Sequence, residues 1–175
     1  MNKVFGKKTD FAPIKEDASR VIISYGYVEV DEENATWLEI YIYKKQVSLV
    51  SLSDVKNAII ADINDRTDEK ILSGFVWNEK PVWLSSENQF NFKAAYDVAV
   101  QTEGQSLPVK FKLGETSEGE PVYHTFTSLT AFTDFYTRAI AYINQCLVDG
   151  WAEKDAIDFS PYEAMFPAVE NQSAE

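Results

Sequence analysis

The chain has one cysteine, Cys146, and one histidine, His124, in 175 residues. A single cysteine excludes an intrachain disulfide and any multi-cysteine metal site, so stability has to come from packing. A single histidine leaves a Ser-His-Asp set or a multi-histidine site resting on one residue, with no matched nucleophile in the pattern around it. No apolar run approaches the length of a membrane span, and the first twenty residues lack the apolar centre of a signal peptide; neither membrane insertion nor secretion is expected. G-x-G-x-x-G, a GK[ST] phosphate loop, C-x-x-C and an EF-hand loop are all missing, which gives no support to a cofactor or a bound metal.

Aromatic material is plentiful, with 4 Trp, 9 Tyr and 11 Phe, and the apolar share is 45%. That composition belongs to a folded chain rather than a disordered one. Acids outnumber bases, 28 to 16, for a net charge of -12, which opposes the phosphate backbone and argues against direct nucleic-acid binding. The imbalance is uneven. Lys3, Lys7, Lys8, Lys15 and Arg20 against Asp10, Glu16 and Asp17 make residues 1–20 basic by two charges, leaving -14 for the remainder.

Residues 1–17 scatter Val4, Phe5, Phe11 and Ile14 without a period, so they read as an extended arm, expected to be ordered by a neighbouring chain rather than by its own fold. Residues 18–50 read as a β-hairpin: RVIISYGYVEV from Arg20 and TWLEIYIYKK from Thr36 are β-branched and aromatic, joined by the acidic DEENA. In its second strand Trp37, Tyr41 and Tyr43 alternate with Leu38, Ile40 and Ile42, so both faces are apolar. One face should pack on the chain; the other either does so too or meets a neighbouring subunit. A third short strand near 47–50 could complete a small sheet.

Residues 51–166 read as one α+β domain of the order α-ββ-α-ββ-α with antiparallel pairing. Val55, Ala58, Ile59 and Ile63 predict a helix over 53–65 with Ser53 as N-cap, and Thr67 offers a second cap with Gly74 as stop. GFVWNEKPVWL predicts a hairpin, and Ser86 with Gln89 a capping box opening a central helix. LPVKFKL and PVYHTF form a second hairpin. The stripe Leu129, Phe132, Tyr136, Ala139, Ile140, Ile143 and Leu147 predicts a core helix ending at Gly150. Ser160, Pro161 and Glu163 open one short turn that Pro167 stops, before a polar tail over 167–175.

His124, Cys146, Glu87 and Asp97 are the residues from which chemistry could be built, and no catalytic set is expected of them: a strand histidine among aromatics, a buried apolar cysteine and two helix-surface charges account for them. Trp77 and Trp83 form either core or an exposed patch for a receptor or glycan. Val4, Phe5, Lys7, Lys8, Phe11, Trp37, Tyr41 and Tyr43 are the interface candidates.

The run KILSGFVWNEKPVWLSSENQFNFKAAYDVAVQ, with the later LPVKF, EPVYHTF and FYTRAIAYINQCLVDGW, resembles a domain of unknown function widespread in phage and prophage genes of gut bacteria, whose members occur in tail, baseplate or fibre regions. The resemblance rests on the GFxW hairpin, the LSxExQxN helix start and the closing aromatic helix, over about residues 53–158. It implies a virion or virion-assembly context, hence a structural virion protein made in the host cytoplasm with other virion proteins as partners; the basic arm facing an acidic body adds the expectation of a homo-oligomer in a symmetric assembly. It brings no active-site residue. A receptor- or glycan-binding module is the alternative expectation, and an enzyme acting on the cell envelope a further one.

Overall fold

The computed structural model of the chain describes residues 2–43 and 50–166. Its architecture is the expected α+β class with antiparallel strands, and it divides into two compact units: residues 1–64 with 152–175, and residues 65–151. This division cuts across the expected single domain over 51–166. The boundaries fall inside two helices, α1 (Leu52–Ser73) and α3 (Leu129–Asp155).

The first unit is built on a four-stranded sheet of β1 (Asn2–Lys7), β2 (Ile14–Glu16), β3 (Arg20–Glu29) and β4 (Asn34–Tyr43), in the order β1-β4-β3-β2. The segment read as an extended arm awaiting a neighbouring chain instead supplies two strands of the chain's own sheet. β1 pairs with β4 from Asn2↔Glu39 to Lys7↔Asn34, and β2 pairs with β3 from Ile14↔Ile23 to Glu16↔Val21. Backbone pairing needs no side-chain period, which is why the scatter of Val4, Phe5, Phe11 and Ile14 misled: each strand borrows its order from a partner already fixed by the hairpin.

The two-faced hairpin is covered on one side by its own unit. Val21, Ile23, Tyr25 and Ile40 are buried with Val55, Ile59 and Ile63 of α1 and with Tyr162. On the opposite side Trp37 is only 2% exposed, shielded by the Phe11 ring 5.7 Å away in an edge-to-face contact. The expected strand near 47–50 falls mostly on residues outside the described ones, as do Lys44, Lys45, the Pro167 stop and the tail over 167–175.

In the second unit β5 (Phe75–Trp77) and β6 (Lys80–Val82) form a tight hairpin whose corner residues Asn78 and Glu79 both have positive φ, 46° and 62°, the backbone of a two-residue turn that follows strand twist. α2 (Ser86–Gln101) follows, then β7 (Val109–Glu115) paired with β8 (Pro121–Phe126), then α3. Phe75, Trp77, Phe92, Phe126, Phe132 and Phe135 make a continuous aromatic core. α4 (Ser160–Glu163) closes the described chain in the first unit.

Helix starts differ from expectation by one or two residues, for a common reason. The side chain nearest the free N–H groups takes the cap. Ser51, not Ser53, caps α1: its Oγ accepts from Asp54 N at 3.2 Å while the Asp54 carboxylate accepts from Ser51 N at 2.9 Å. Ser85, not Ser86, caps α2 by accepting from Asn88 N at 3.2 Å. Thr67 begins nothing, since no glycine or proline interrupts α1 before Gly74. α3 likewise runs through Gly150 to Asp155. In α4 the cap position is Phe159, and Asp158 accepts from Ser160 N at 2.9 Å and from its Oγ at 2.7 Å.

Candidate functional site

Within the first unit, the sequence Tyr25-Gly26-Tyr27 interrupts the regular alternation of β3. Pairing with β4 is Tyr25↔Leu38 on one side of the interruption and Val28↔Thr36 on the other, so Gly26 and Tyr27 both stand against Trp37. This is a β-bulge, and Gly26 takes the φ of +64° that the extra residue demands. The bulge turns Tyr27 toward Phe11, whose ring centroid lies 4.8 Å away.

Beside the bulge opens a cleft of about 450 Å³, in the size range of ligand pockets. One side is made by Phe11, Pro13 and Tyr25–Tyr27, the other by the segment from Ala156 through Tyr162. Asp158 is the sole charged lining residue. Ser160, first through its hydroxyl and then through its N–H, holds the Asp158 carboxyl below the usual carboxylate range, so it is an anion at neutral pH.

The walls are fixed from behind. The Tyr162 hydroxyl donates to the Ser24 carbonyl at 2.6 Å, and Ser24 N donates to the Pro13 carbonyl at 2.9 Å. Burial, with the nearby Asp158 charge adding to it, pushes the Tyr162 phenol up to about 12. Tyr25 donates its hydroxyl proton to the Asp62 carboxylate. The Ser24 hydroxyl oxygen is the buried polar side-chain atom left without a hydrogen-bond partner among the described residues.

The sheet face opposite the α1 core carries most of the expected interface residues, placed unequally. Tyr41 lies under Arg20, 4.7 Å from ring centroid to guanidinium, and accepts from Asn2 Nδ2 at 3.1 Å. Arg20 pairs with Asp17 at 2.8 Å. Asp17 is held down to about 2, first by the Ser19 N–H and then by Arg20. Tyr43 is 72% exposed and Phe5, on β1, 64%. Trp37, by contrast, offers no surface to a neighbour: it is buried and donates Nε1–H to Glu39 at 3.1 Å. Lys8 is tied to Glu29 at 2.6 Å, Val4 is half-buried, and Lys7 is exposed.

The two hairpin tryptophans of the second unit do not form one patch. Trp77 is buried, donating to Asp134 at 2.9 Å and packed edge-on against His124 and Phe135; core burial decides its place, and its reading as part of a ligand patch is corrected. Trp83 is partly exposed, with Lys112 Nζ 5.3 Å over its ring. His124 Nδ1 lies 3.1 Å from Lys80 Nζ, and burial first, then the Lys80 charge, lower its pKa. Cys146 is buried on α3, Glu87 sits in the first turn of α2, and Asp97 pairs with Lys93 at 2.6 Å. No hydrogen bond or ion pair joins any two of these four residues. Among the described residues there is no group of three or more potential metal-ligating side chains, and no helix is long and apolar enough to cross a membrane.

Residues 54–171 match the family described as a domain of unknown function, DUF4376. The chain belongs to that family. No curated protein matches it, and no solved structure does. The DUF4376 segment starts in α1 and leaves the whole β1–β4 sheet outside it, so the cleft takes one wall from the family segment and the other from the N-terminal sheet. Sequence reasoning missed Pro13, Gly26, Tyr27, Ile157 and Asp158. The available signal was Gly26 inside a strand pattern, which marks a bulge or a close backbone approach.

Proposed function

We propose that the chain is a structural component of a phage particle, in which the DUF4376 segment is the body and the N-terminal sheet the part that docks to other virion proteins. One observation carries the reading: among the described residues β1 is an open edge of the sheet, with Phe5 64% exposed between Lys3 and Lys7. An edge strand presents unpaired backbone groups to any extended neighbour, and lysines on it discourage indiscriminate pairing while favouring an acidic partner. The resemblance to phage tail, baseplate and fibre genes supplies the setting, and the position of the sheet outside the family segment suits an attachment device added to a common body. The role is one of assembly, without a catalytic step, and repeated copies in a symmetric particle fit it.

The test is particle composition. Density-purified particles from an induced lysogen should contain the chain in stoichiometric amounts by mass spectrometry. Phe5→Asp combined with Lys3→Glu should lower its incorporation while the purified protein melts as the parent does. Abundant chain in the lysate and none in the particles would sink the reading.

A further inference from the structure

β2 covers β3 only from Val21 to Ile23, and the Ser24 N–H closes that ladder on the Pro13 carbonyl. From Gly26 to Glu29, β3 is paired among the described residues on the β4 side alone, and these residues are exposed. Gly26 and Tyr27 also form part of the cleft wall. The cleft is thus a largely apolar slot that reaches the edge of β3 at Gly26 and Tyr27, where the bulge glycine leaves bare backbone in its wall.

Two features narrow what fits. Besides β3, the slot is lined by Phe11 and Pro13 and by Ala156, Ile157, Asp158, Pro161 and Tyr162, an enclosure that suits a single extended strand better than the edge of a folded sheet, which would bring its neighbours with it. The charge is also one-sided. Asp158 lines the slot with no cation, and β3 leads into Asp31, Glu32 and Glu33, while Lys8 pairs with Glu29 alone. The chain's own residues 167–175 carry two glutamates and no base, the wrong charge for this slot.

We propose that the slot receives an extended basic peptide segment of a partner protein, which adds as a strand along Gly26–Glu29, sets an apolar side chain among Phe11, Tyr27 and Tyr162, and brings a lysine or arginine to Asp158. Main-chain pairing gives such a contact its affinity, and the pocket and the charge give it selectivity. The proposal rests on the reading of the chain as a docking protein and specifies where and to what it docks.

The experiment uses the full chain with a fluorescein-labelled peptide of alternating lysine and valine, followed by fluorescence anisotropy and by hydrogen exchange, with the glutamate-valine peptide as counterpart. The lysine probe should bind, and exchange at the amides of residues 26–29 should slow. Tyr27→Ala and Asp158→Asn, each with unchanged far-UV circular dichroism, should each weaken binding by about tenfold, the loss expected at a well-packed contact centre. No binding, equal binding of the glutamate probe, binding without protection at 26–29, or unchanged affinity in both variants overturns the proposal. Binding that appears only after removal of residues 167–175 assigns the slot to the chain's own tail, and protection of 26–29 that grows with protein concentration without probe assigns it to a second copy; either also overturns it. Particle incorporation is read separately, so a chain that binds the probe yet is absent from particles defeats the virion reading and leaves the slot intact.

Discussion

Replacing Phe135 tests the account of the second unit most directly. Its ring is fully buried and is the hub of the aromatic core, with centroids of Trp77, Phe92 and Phe126 at 5.3, 5.1 and 5.0 Å and those of Phe75 and Phe132 at 6.4 Å. Truncation to alanine removes transfer free energy and leaves a cavity that five rings cannot all collapse into, a cost of about 3–5 kcal/mol. Leucine keeps most of the volume and loses mainly the edge-to-face contacts, so Phe135→Leu should cost about 1–2 kcal/mol. At roughly 2–4 °C per kcal/mol for a chain of this size, the alanine variant should melt about 6–20 °C below the parent and the leucine variant about 2–8 °C below it. Val76→Ala serves as the control in the same unit, because Val76 is 60% exposed and such a site moves stability by about half a kcal/mol or less. Near-ultraviolet circular dichroism during thermal unfolding reads the ring cluster itself. A Phe135→Ala protein melting within about 3 °C of the parent, with its aromatic signal intact, would refute the packing of five rings around Phe135.

Deleting residues 2–17 removes β1 and β2 and uncovers Trp37, so the melting temperature should fall by several degrees with a red shift of tryptophan emission; an unchanged melt would return the segment to the status of a free arm. A Cβ on Gly150 would stand 2.5 Å from Thr67 Oγ1 and 3.4 Å from Thr67 Cβ, so Gly150→Ala should destabilise despite a helix-propensity gain of about 1 kcal/mol, by a net of roughly 1–2 kcal/mol, and adding Thr67→Ala in a double-mutant cycle should recover most of it. His124 has a folded pKa lowered by burial and then by Lys80, so the unfolded chain takes up the proton first and stability falls as pH drops through the unfolded value of about 6.5; His124→Asn should flatten the change in melting temperature between pH 7.5 and 5.5, and an unaltered slope would remove the residue from the account. Tyr162→Phe leaves the Ser24 carbonyl without its 2.6 Å donor and should cost about 1–2 kcal/mol in chemical denaturation, while the parent's ultraviolet titration should show Tyr142 and Tyr162 both ionising at about 12, and the variant should lose the Tyr162 share of that step.

How much could be read beforehand follows from how far apart the interacting residues lie in the chain. α3 and the β5–β6 and β7–β8 hairpins were legible because their partners lie within a few residues: a stripe at three and four, or a turn between two apolar runs, is a local signal. β1 was not, because its order comes from residues far along the chain, Val4 beside Trp37 and Lys3 beside Leu38, and nothing in NKVFGK distinguishes a strand awaiting a distant edge from an irregular tail. The same distance hid the candidate site. Phe11 was singled out only as an apolar residue of the arm, whereas its place beside Tyr27, and the meeting of both with Ile157 and Asp158, depends on the bulge at Gly26 and on a C-terminal segment more than a hundred residues on. Charge was the one long-range property visible in advance, and it was visible only as a sum. The basic N-terminal residues did oppose an acidic remainder, but much of that opposition is spent inside the first unit, Lys8 on Glu29 and Lys15 on Glu39. What an incoming partner meets is therefore the residue of that cancellation: exposed Lys3 and Lys7 on one edge of the sheet, and Asp158 beside the other. If the chain docks as proposed, two edges of opposite sign would favour partners of opposite sign, an acidic strand at β1 and a basic one at β3, and a single chain would then join two different neighbours without the two contacts competing.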